Sequence, residues 1–166
     1  RFPHDVTLLD EARRKTERII DCLQNYAPEG YEKPRTYRKT ARKEFLTFIR
    51  NRKPRERTIR KAIRKQLQYV ERNLRIIGDY KGIVGFKGLS GKQYRDLVVI
   101  SELVRQQREL YTQKSRSIEG RILSISKPHV RPIARGKARG MYEFGAKLSV
   151  SLVDGLTEVH RLSWEP

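Results

Sequence analysis

The stretch "PRERTIRKAIRKQLQYVERNLRIIGDY", residues 54–80, carries the most regular pattern in the chain. Its apolar residues recur at spacings of four, four, three, four and three, at Ile59, Ile63, Leu67, Val70, Leu74 and Ile77. Such spacings place side chains on one face of an α-helix. Pro54 suits the first turn of a helix, where the missing amide hydrogen costs nothing. The stretch therefore predicts a long amphipathic helix.

Three further helices are predicted around it. The first begins at Asp5 or Thr7 and runs to about Tyr26, the second spans about 36–51, and the last is capped by Ser90 and runs to about Gln113. The glycine-rich stretch 81–91 is predicted to be a turn. The apolar residues expected to face the core are Leu8, Ala12, Ile19, Leu23, Tyr37, Ala41, Phe45, Phe48, Leu97, Ile100, Val104 and Tyr111. Short loops between long helices favour a bundle of antiparallel neighbours over the first two thirds of the chain.

The period of the pattern changes after Gly120. "RILSIS", residues 121–126, is predicted to be a short strand, and "YEFGAKLSVSLVDGLTEVHRLSW", residues 142–164, to form two strands. The pair Asp154-Gly155 between them favours a tight hairpin turn. One face of the first strand is apolar, so the hairpin is expected to pair with more strands or to lie on the helices. The predicted class is α+β, with a helical region at 1–118 and strands at 119–166.

Net charge narrows the classes of function. The 166 residues include 38 Lys and Arg against 19 Asp and Glu, a formal charge of +19. That much self-repulsion favours a polyanionic partner, and nucleic acid is the first candidate. No apolar run is long enough to span a membrane, so we expect a soluble cytoplasmic protein. Cys22 is the only cysteine, and His4, His129 and His160 lack ligand spacing, so no metal site is predicted.

The positive charge is concentrated between residues 35 and 75, which hold 16 basic and 3 acidic side chains. Basic dyads recur four residues apart within two of the predicted helices. The residues that we expect to contact nucleic acid there are Arg38, Lys39, Arg42, Lys43, Arg60, Lys61, Arg64 and Lys65. A solvated, solubilising surface is the alternative interpretation. Phosphate binding is favoured because the run is almost entirely of one sign.

A second basic segment, "KPHVRPIARGKARG" at 127–140, precedes the hairpin. Together, "SISKPHVRPIARGKARGMYEFGAKLSVSLVDG" resembles a segment of the bacterial insertion-sequence transposases with a DDE core, which carry a similar series around Pro-His-Val-Arg-Pro-Ile, Arg-Gly-Lys and Glu-Phe-Gly-Ala-Lys. The stretches "LLDEARRKTERIID", "KPRTYRKTARKEFL" and "IRKAIRKQLQYVERNL" look like the helical segment that such transposases insert after their first core strand. The resemblance covers nearly the whole chain.

The resemblance implies a ribonuclease-H-like core in which three carboxylates hold two divalent metal ions, Mg²⁺ in the complete protein. As the segments align, none of the three catalytic positions is present, so no catalytic or metal-binding residue is predicted. Asp154 is better explained as a turn residue than as a ligand. The resemblance implies transposon-end DNA as the partner, with a homodimer conceivable for the complete protein. In the loop 127–140, Arg131, Arg135, Lys137 and Arg139 are predicted to hold DNA phosphates; a solvated loop is the alternative.

The resulting expectation is an internal or degenerate fragment of a DDE transposase, comprising the helical insertion and part of the core. Such a chain would bind DNA, in the bacterial nucleoid, without cutting it. The alternative is a stand-alone nucleic-acid-binding protein, either a repressor or an RNA-binding module. A helical interaction protein with incidental charge ranks below both.

Overall fold

The computed structural model describes residues 5–115, 117–134 and 142–164. The chain divides into two compact units, one up to Ile118 and the other from Glu119 onward. The described residues form four helices, α1 (Asp5–Gln24), α2 (Arg38–Arg50), α3 (Glu56–Val84) and α4 (Gly91–Gln113), and four strands, β1 (Arg131–Ala134), β2 (Tyr142–Gly145), β3 (Lys147–Val153) and β4 (Leu156–Ser163). The predicted α+β class is therefore confirmed. None of the described helices is apolar enough over a sufficient length to cross a membrane.

Helix α3 agrees with the predicted helix, but it begins at Glu56, so that Pro54 precedes the helix instead of lying in its first turn, and it ends later than expected. The sequence predicted a turn from residue 81, whereas α3 continues to Val84 and the turn occupies 85–88. The buried positions continue past Ile77 to Tyr80, which holds the last turns of the helix on the core. Gly78 and Gly82 remain in ordinary helical conformation, and the helix ends at Gly85, where φ is +66°. The helix thus ends at the first glycine that must adopt positive φ.

The start of α4 is as predicted. The Ser90 hydroxyl accepts a hydrogen bond from the backbone amide of Gln93 at 3.2 Å, and the Gln93 side chain accepts one from the backbone amide of Ser90 at 2.9 Å. This reciprocal capping box satisfies two amides that a helix leaves without intrahelical acceptors. It fixes where α4 begins after the turn.

The core of the helical unit forms around α1, which contacts the other three helices. One apolar cluster joins α1, α3 and α4 through Ile19, Ile20, Leu23, Ile76, Ile77, Tyr80 and Leu97. A buried Arg13 on α1 donates hydrogen bonds to Asp10 at 2.5 Å and to Glu17 at 2.7 Å. Because a buried charge is costly unless it is paired, these two carboxylates make the burial of Arg13 tolerable.

The β unit departs from the prediction in two places. Residues 121–126 do not form the predicted strand; Ile122, Leu123 and Ile125 are buried, but the backbone has no strand ladder. The apolar composition of this stretch therefore indicated its burial correctly, but it did not indicate whether the backbone pairs with another strand. The predicted first strand of the hairpin is also divided at Ala146: β2 pairs antiparallel with β1, and β3 pairs antiparallel with β4. Residues 131–134, predicted to belong to a loop, form β1.

The hairpin of β3 and β4 contains the predicted turn. Asp154 has φ of +49° and Gly155 has φ of +79°, and positive φ at both central residues is typical of a type I′ turn. A register shift after Ser149 places Val150 opposite Val159, whereas Leu148 lies opposite Leu162. Opposed residues share a face, so the bulge brings Val159 and Leu162 to one face although they are three residues apart.

That apolar face is exposed in the described structure. Leu148, Leu152 and Leu162 are 57%, 72% and 62% exposed. Among the described residues of the unit from Glu119 onward, β3 and β4 pair only with each other, and the ribonuclease-H-like core stays a prediction.

The turn between α3 and α4 offers a test of the backbone argument. Gly88 has φ of +77°, and an added Cβ would overlap the ring of Tyr26. We expect Gly88→Ala to lower the free energy of unfolding by about 1 kcal/mol or more, because an L side chain is strained at this φ. Gly82→Ala is the matched control: it lies within α3 with open space around it, and should stabilise by up to about 1 kcal/mol. Urea unfolding measures both; equal effects of the two substitutions would contradict the argument.

Candidate nucleic-acid interface

Helix α2 lies on α3 with little apolar burial. Ala41 is its only buried residue, and Phe45 and Phe48 are half-buried. Polar contacts make the remaining attachment: Gln66 Nε2 on α3 donates to the Ala41 carbonyl at 3.1 Å, and Glu44 accepts hydrogen bonds from Lys65 and from the Tyr69 hydroxyl. Burial and the neighbouring Glu44 carboxylate both raise the pKa of Tyr69. The opposite side of α2 is left open to solvent.

Three of the eight predicted helical cations are used inside the protein. Arg38 donates two hydrogen bonds to Asp21 on α1, at 2.7 and 3.0 Å. Arg60 lies 4.1 Å from the centre of the Tyr111 ring and donates to the Tyr111 carbonyl at 2.9 Å. Lys65 is paired with Glu44. These side chains attach helices to one another, so they are less available to a ligand than an exposed cation without a partner.

The other five helical cations are exposed. Lys39, Arg42 and Lys43 lie on α2, and Lys61 and Arg64 on α3. Within the part of the chain that the structure describes, none of the five has an ion-pair partner. Their charge is available to a ligand.

The structure adds cations that the dyad pattern did not single out. Arg57, Arg72 and Arg75 are exposed on α3. Together with Lys61 and Arg64 they are spaced by four, three, eight and three residues, and eight is two steps of four. Such spacings define one stripe along a helix. Arg75 follows Arg57 by 18 positions, which is about 27 Å at the rise of an α-helix. A search of the sequence for single cations three or four residues apart, instead of adjacent basic pairs, would have found this stripe.

Arg72 within this stripe also contacts an unusual residue. Tyr37, just before α2, has φ of +56°, and its ring lies 4.6 Å from the Arg35 guanidinium and 4.7 Å from that of Arg72. Cation–π attraction from two arginines stabilises a conformation that costs a non-glycine residue about 1 kcal/mol or more. Tyr37 was predicted to face the core, but it is only half-buried and supports the basic surface.

The loop between α2 and α3 adds further charge. Arg52, Lys53 and Arg55 are exposed within the five residues that separate the helices. We call the exposed cations between residues 39 and 75 the basic face. Its members are Lys39, Arg42, Lys43, Arg50, Arg52, Lys53, Arg55, Arg57, Lys61, Arg64, Arg72 and Arg75.

A groove of about 530 Å³ lies between α2 and α3 beside the basic face. Phe45, Phe48 and Ala62 supply apolar wall, and Lys43 and Lys61 bring two of the exposed cations to it. Asn51 and Thr58 line the groove where the basic loop joins the helices. Gln66 also lines it, and the buried Oε1 of Gln66 has no hydrogen-bond partner among the described residues.

The second predicted set of cations lies mostly outside the described residues. Arg135, Lys137 and Arg139 fall within 135–141, which the structure does not describe, and Arg131 is placed only as the first residue of β1. Their predicted role stays a prediction.

The described residues offer no group of three His, Cys, Asp or Glu side chains that could hold a metal ion. Asp154 occupies the hairpin turn, as its Asp-Gly context predicted. No metal-dependent step is derived for the described residues, and the absence of a catalytic metal site stays a prediction.

No protein-family model matches the chain, and comparisons with curated proteins and with solved structures likewise gave no match.

The ion pair between Asp21 of α1 and Arg38 of α2 contributes to stability in a way that depends on pH. The Arg38 guanidinium, with help from Lys33, lowers the pKa of Asp21 below its ordinary value. Stability from this link is present above the ordinary carboxyl pKa of about 4 and is lost as pH falls through the lowered value in the folded state. Because the side chains are 38–44% exposed, solvent screening keeps the contribution below about 1 kcal/mol.

We expect Asp21→Asn to destabilise the protein slightly at pH 7 and to differ less from the unaltered protein below about pH 4. Urea unfolding across this pH range measures the difference. Asp79→Asn removes the same charge from an exposed position of α3 and controls for net charge. A gap between Asp21→Asn and the unaltered protein that widens as pH falls would contradict the assignment.

Proposed function

We propose that this chain binds the phosphate backbone of duplex DNA through the basic face, and that it is a DNA-binding part of a DDE-type transposase. The observation that carries the binding proposal is the stripe on α3. Arg57, Lys61, Arg64 and Arg75 are exposed, and none has a carboxylate partner among the described residues. Such a row is costly in isolation and favourable beside a polyanion.

The acids of this region support the same conclusion. Between residues 35 and 75 the only acids are Glu44, Glu56 and Glu71. Glu44 pairs with Lys65, and Glu71 pairs with Arg108 of α4. Both carboxylates hold helices together instead of neutralising the stripe. Neither of these two carboxylates therefore neutralises the stripe; the third acid, Glu56, is exposed at the start of α3.

Duplex DNA fits the shape of this surface. The stripe extends about 27 Å along a straight helix, and a duplex presents one phosphate charge per about 1.7 Å of its axis. Several phosphates can therefore be contacted at once, with release of their counterions. Contacts of this kind position a protein on DNA without reading its sequence. We propose binding that is strong at low salt and only weakly dependent on base sequence.

The family part of the proposal rests on residues 127–155, whose series resembles a segment of insertion-sequence transposases, and on the helical stretches that agree with it in order. In this proposal the helical unit is the inserted region, the strands belong to a ribonuclease-H-like core, and the DNA is a transposon end. Cleavage is not proposed for this chain. The alternative is a stand-alone protein, either a repressor or an RNA-binding module, that uses the same basic face. The RNA-binding module would prefer RNA to DNA.

Charge-neutralising substitutions test the binding surface. We expect the double variant Lys61→Ala/Arg64→Ala to bind a labelled blunt DNA duplex severalfold more weakly at about 0.1 M salt, equally for unrelated sequences, because two phosphate contacts are lost. The readout is fluorescence anisotropy.

The matched control is Lys87→Ala/Lys92→Ala. It removes the same charge from exposed positions outside the basic face. Equal weakening by the two double variants would show that only net charge matters and would overturn the assignment of the surface. A duplex RNA of the same length, bound more tightly than DNA, would favour the alternative function.

A further inference from the structure

We infer that the groove between α2 and α3 binds one unpaired nucleotide, with the base against Phe45 and Phe48 and the flanking phosphates at Lys43 and Lys61. This inference rests on the proposed binding of nucleic acid, and it adds a site that the phosphate contacts of the basic face do not require. The groove volume of about 530 Å³ lies within the range of pockets that enclose small ligands.

The wall of the groove has the chemistry for stacking. Phe45 and Phe48 are half-buried, so each ring keeps part of its surface open. Both rings and the Ala62 side chain line the same space. Aromatic side chains bind unpaired bases by stacking, with little dependence on which base is present. Full burial in the core, which the sequence predicted for these rings, would have closed this surface.

The charges around the groove select an anion. Lys43 and Lys61 line it without carboxylate partners among the described residues, whereas Lys65 is neutralised by Glu44. Asn51 and Thr58 place the groove next to the loop that carries Arg52, Lys53 and Arg55. A strand that follows this loop can thus leave one base in the groove while its phosphates remain on cations.

The groove is mainly apolar, which suits the flat face of a base, and a few polar residues line it as well. Thr40 and Asn51 are among them, whereas the Thr47 hydroxyl donates to the Lys43 carbonyl. Gln66 adds an amide whose Nε2 is committed to the Ala41 carbonyl and whose Oε1 lacks a partner among the described residues. A buried acceptor without a donor is uncommon in folded proteins. An amphipathic partner helix, which needs apolar anchors over several turns, is the competing occupant, and Leu46 and Ile49 are also exposed on α2. Lys43 and Lys61 at the groove favour an anionic occupant instead.

The test compares three DNAs that share one duplex. One is blunt, one has a short single-stranded overhang, and one has an overhang of the same length built from abasic nucleotides, which keeps the phosphates and removes the bases. With the unaltered protein we expect the normal overhang to bind about fivefold or more tightly than the abasic one, the low end of the stacking range for one base. This arm needs no substitution, so a folding defect cannot obscure it.

The substitution arm uses Phe48→Ala, which removes one ring of the wall. We expect it to abolish the advantage of the normal overhang while leaving blunt-duplex affinity within about twofold, because no cation is removed. Tyr94→Ala, at a half-exposed aromatic of α4 outside the groove, is the control and should leave the advantage unchanged.

Each outcome decides one proposal. Equal binding of normal and abasic overhangs overturns the nucleotide site, and leaves the proposed function standing if the blunt duplex still binds. Base-dependent overhang binding without any blunt-duplex binding supports the site and overturns the duplex proposal. A free nucleoside monophosphate that displaces the overhang at equal concentration would assign the groove to small nucleotides and overturn a strand as its occupant.

Discussion

The attachment of α2 to α3 through Glu44 is the constraint that holds the cations of α2 beside the stripe on α3. Glu44 accepts from Lys65 and Tyr69 of α3, and Ala41 is the one buried residue of this fully described helix. A helix with so little apolar burial is held mainly by these polar contacts and by Arg38 with Asp21. Because Lys65 is 38% and Glu44 is 28% exposed, solvent screening keeps this ion pair to about 1 kcal/mol or less, and its role is to fix how α2 lies on α3.

The small number of carboxylates in this region explains why the surface stays positive. Two of the three acids in residues 35–75, Glu44 and Glu71, each pair with a cation on another element and hold helices together. The cations left over lie on the solvent side, because the buried side is already filled by apolar residues such as Leu67, Val70 and Ile77. Charge segregation along the sequence thus becomes charge segregation in space.

Much of the helical unit could be predicted from the sequence, because an amphipathic period and a capping box are local properties. Ile77 and Leu97 are buried as their spacing indicated, and Ser90 caps α4. The strand predicted at 121–126 was wrong because pairing depends on a partner that composition does not reveal. The end of α3 was misplaced because a glycine ends a helix only where positive φ is required, as at Gly85 and not at Gly82.

The candidate site was predictable only in part. The dyads identified exposed cations such as Lys61 and Arg64, but treated Arg38 and Arg60 as equivalent to them. Those two arginines meet Asp21 and Tyr111, which lie 17 and 51 residues away in the chain. Contacts over such separations are set by tertiary packing. The groove was invisible for the same reason, since it forms only when Phe48 and Ala62 are brought together.

The measurement that tests the central claim most directly is the salt dependence of duplex binding by the unaltered chain. The logarithm of the association constant is plotted against the logarithm of salt concentration from low to above physiological values. If Arg57, Lys61, Arg64 and Arg75 contact phosphates, the slope should be about −3.5 or steeper, since each neutralised phosphate contributes about −0.9. A slope near zero, or no binding at low salt, would show that the basic face is a solvated surface and would contradict the account.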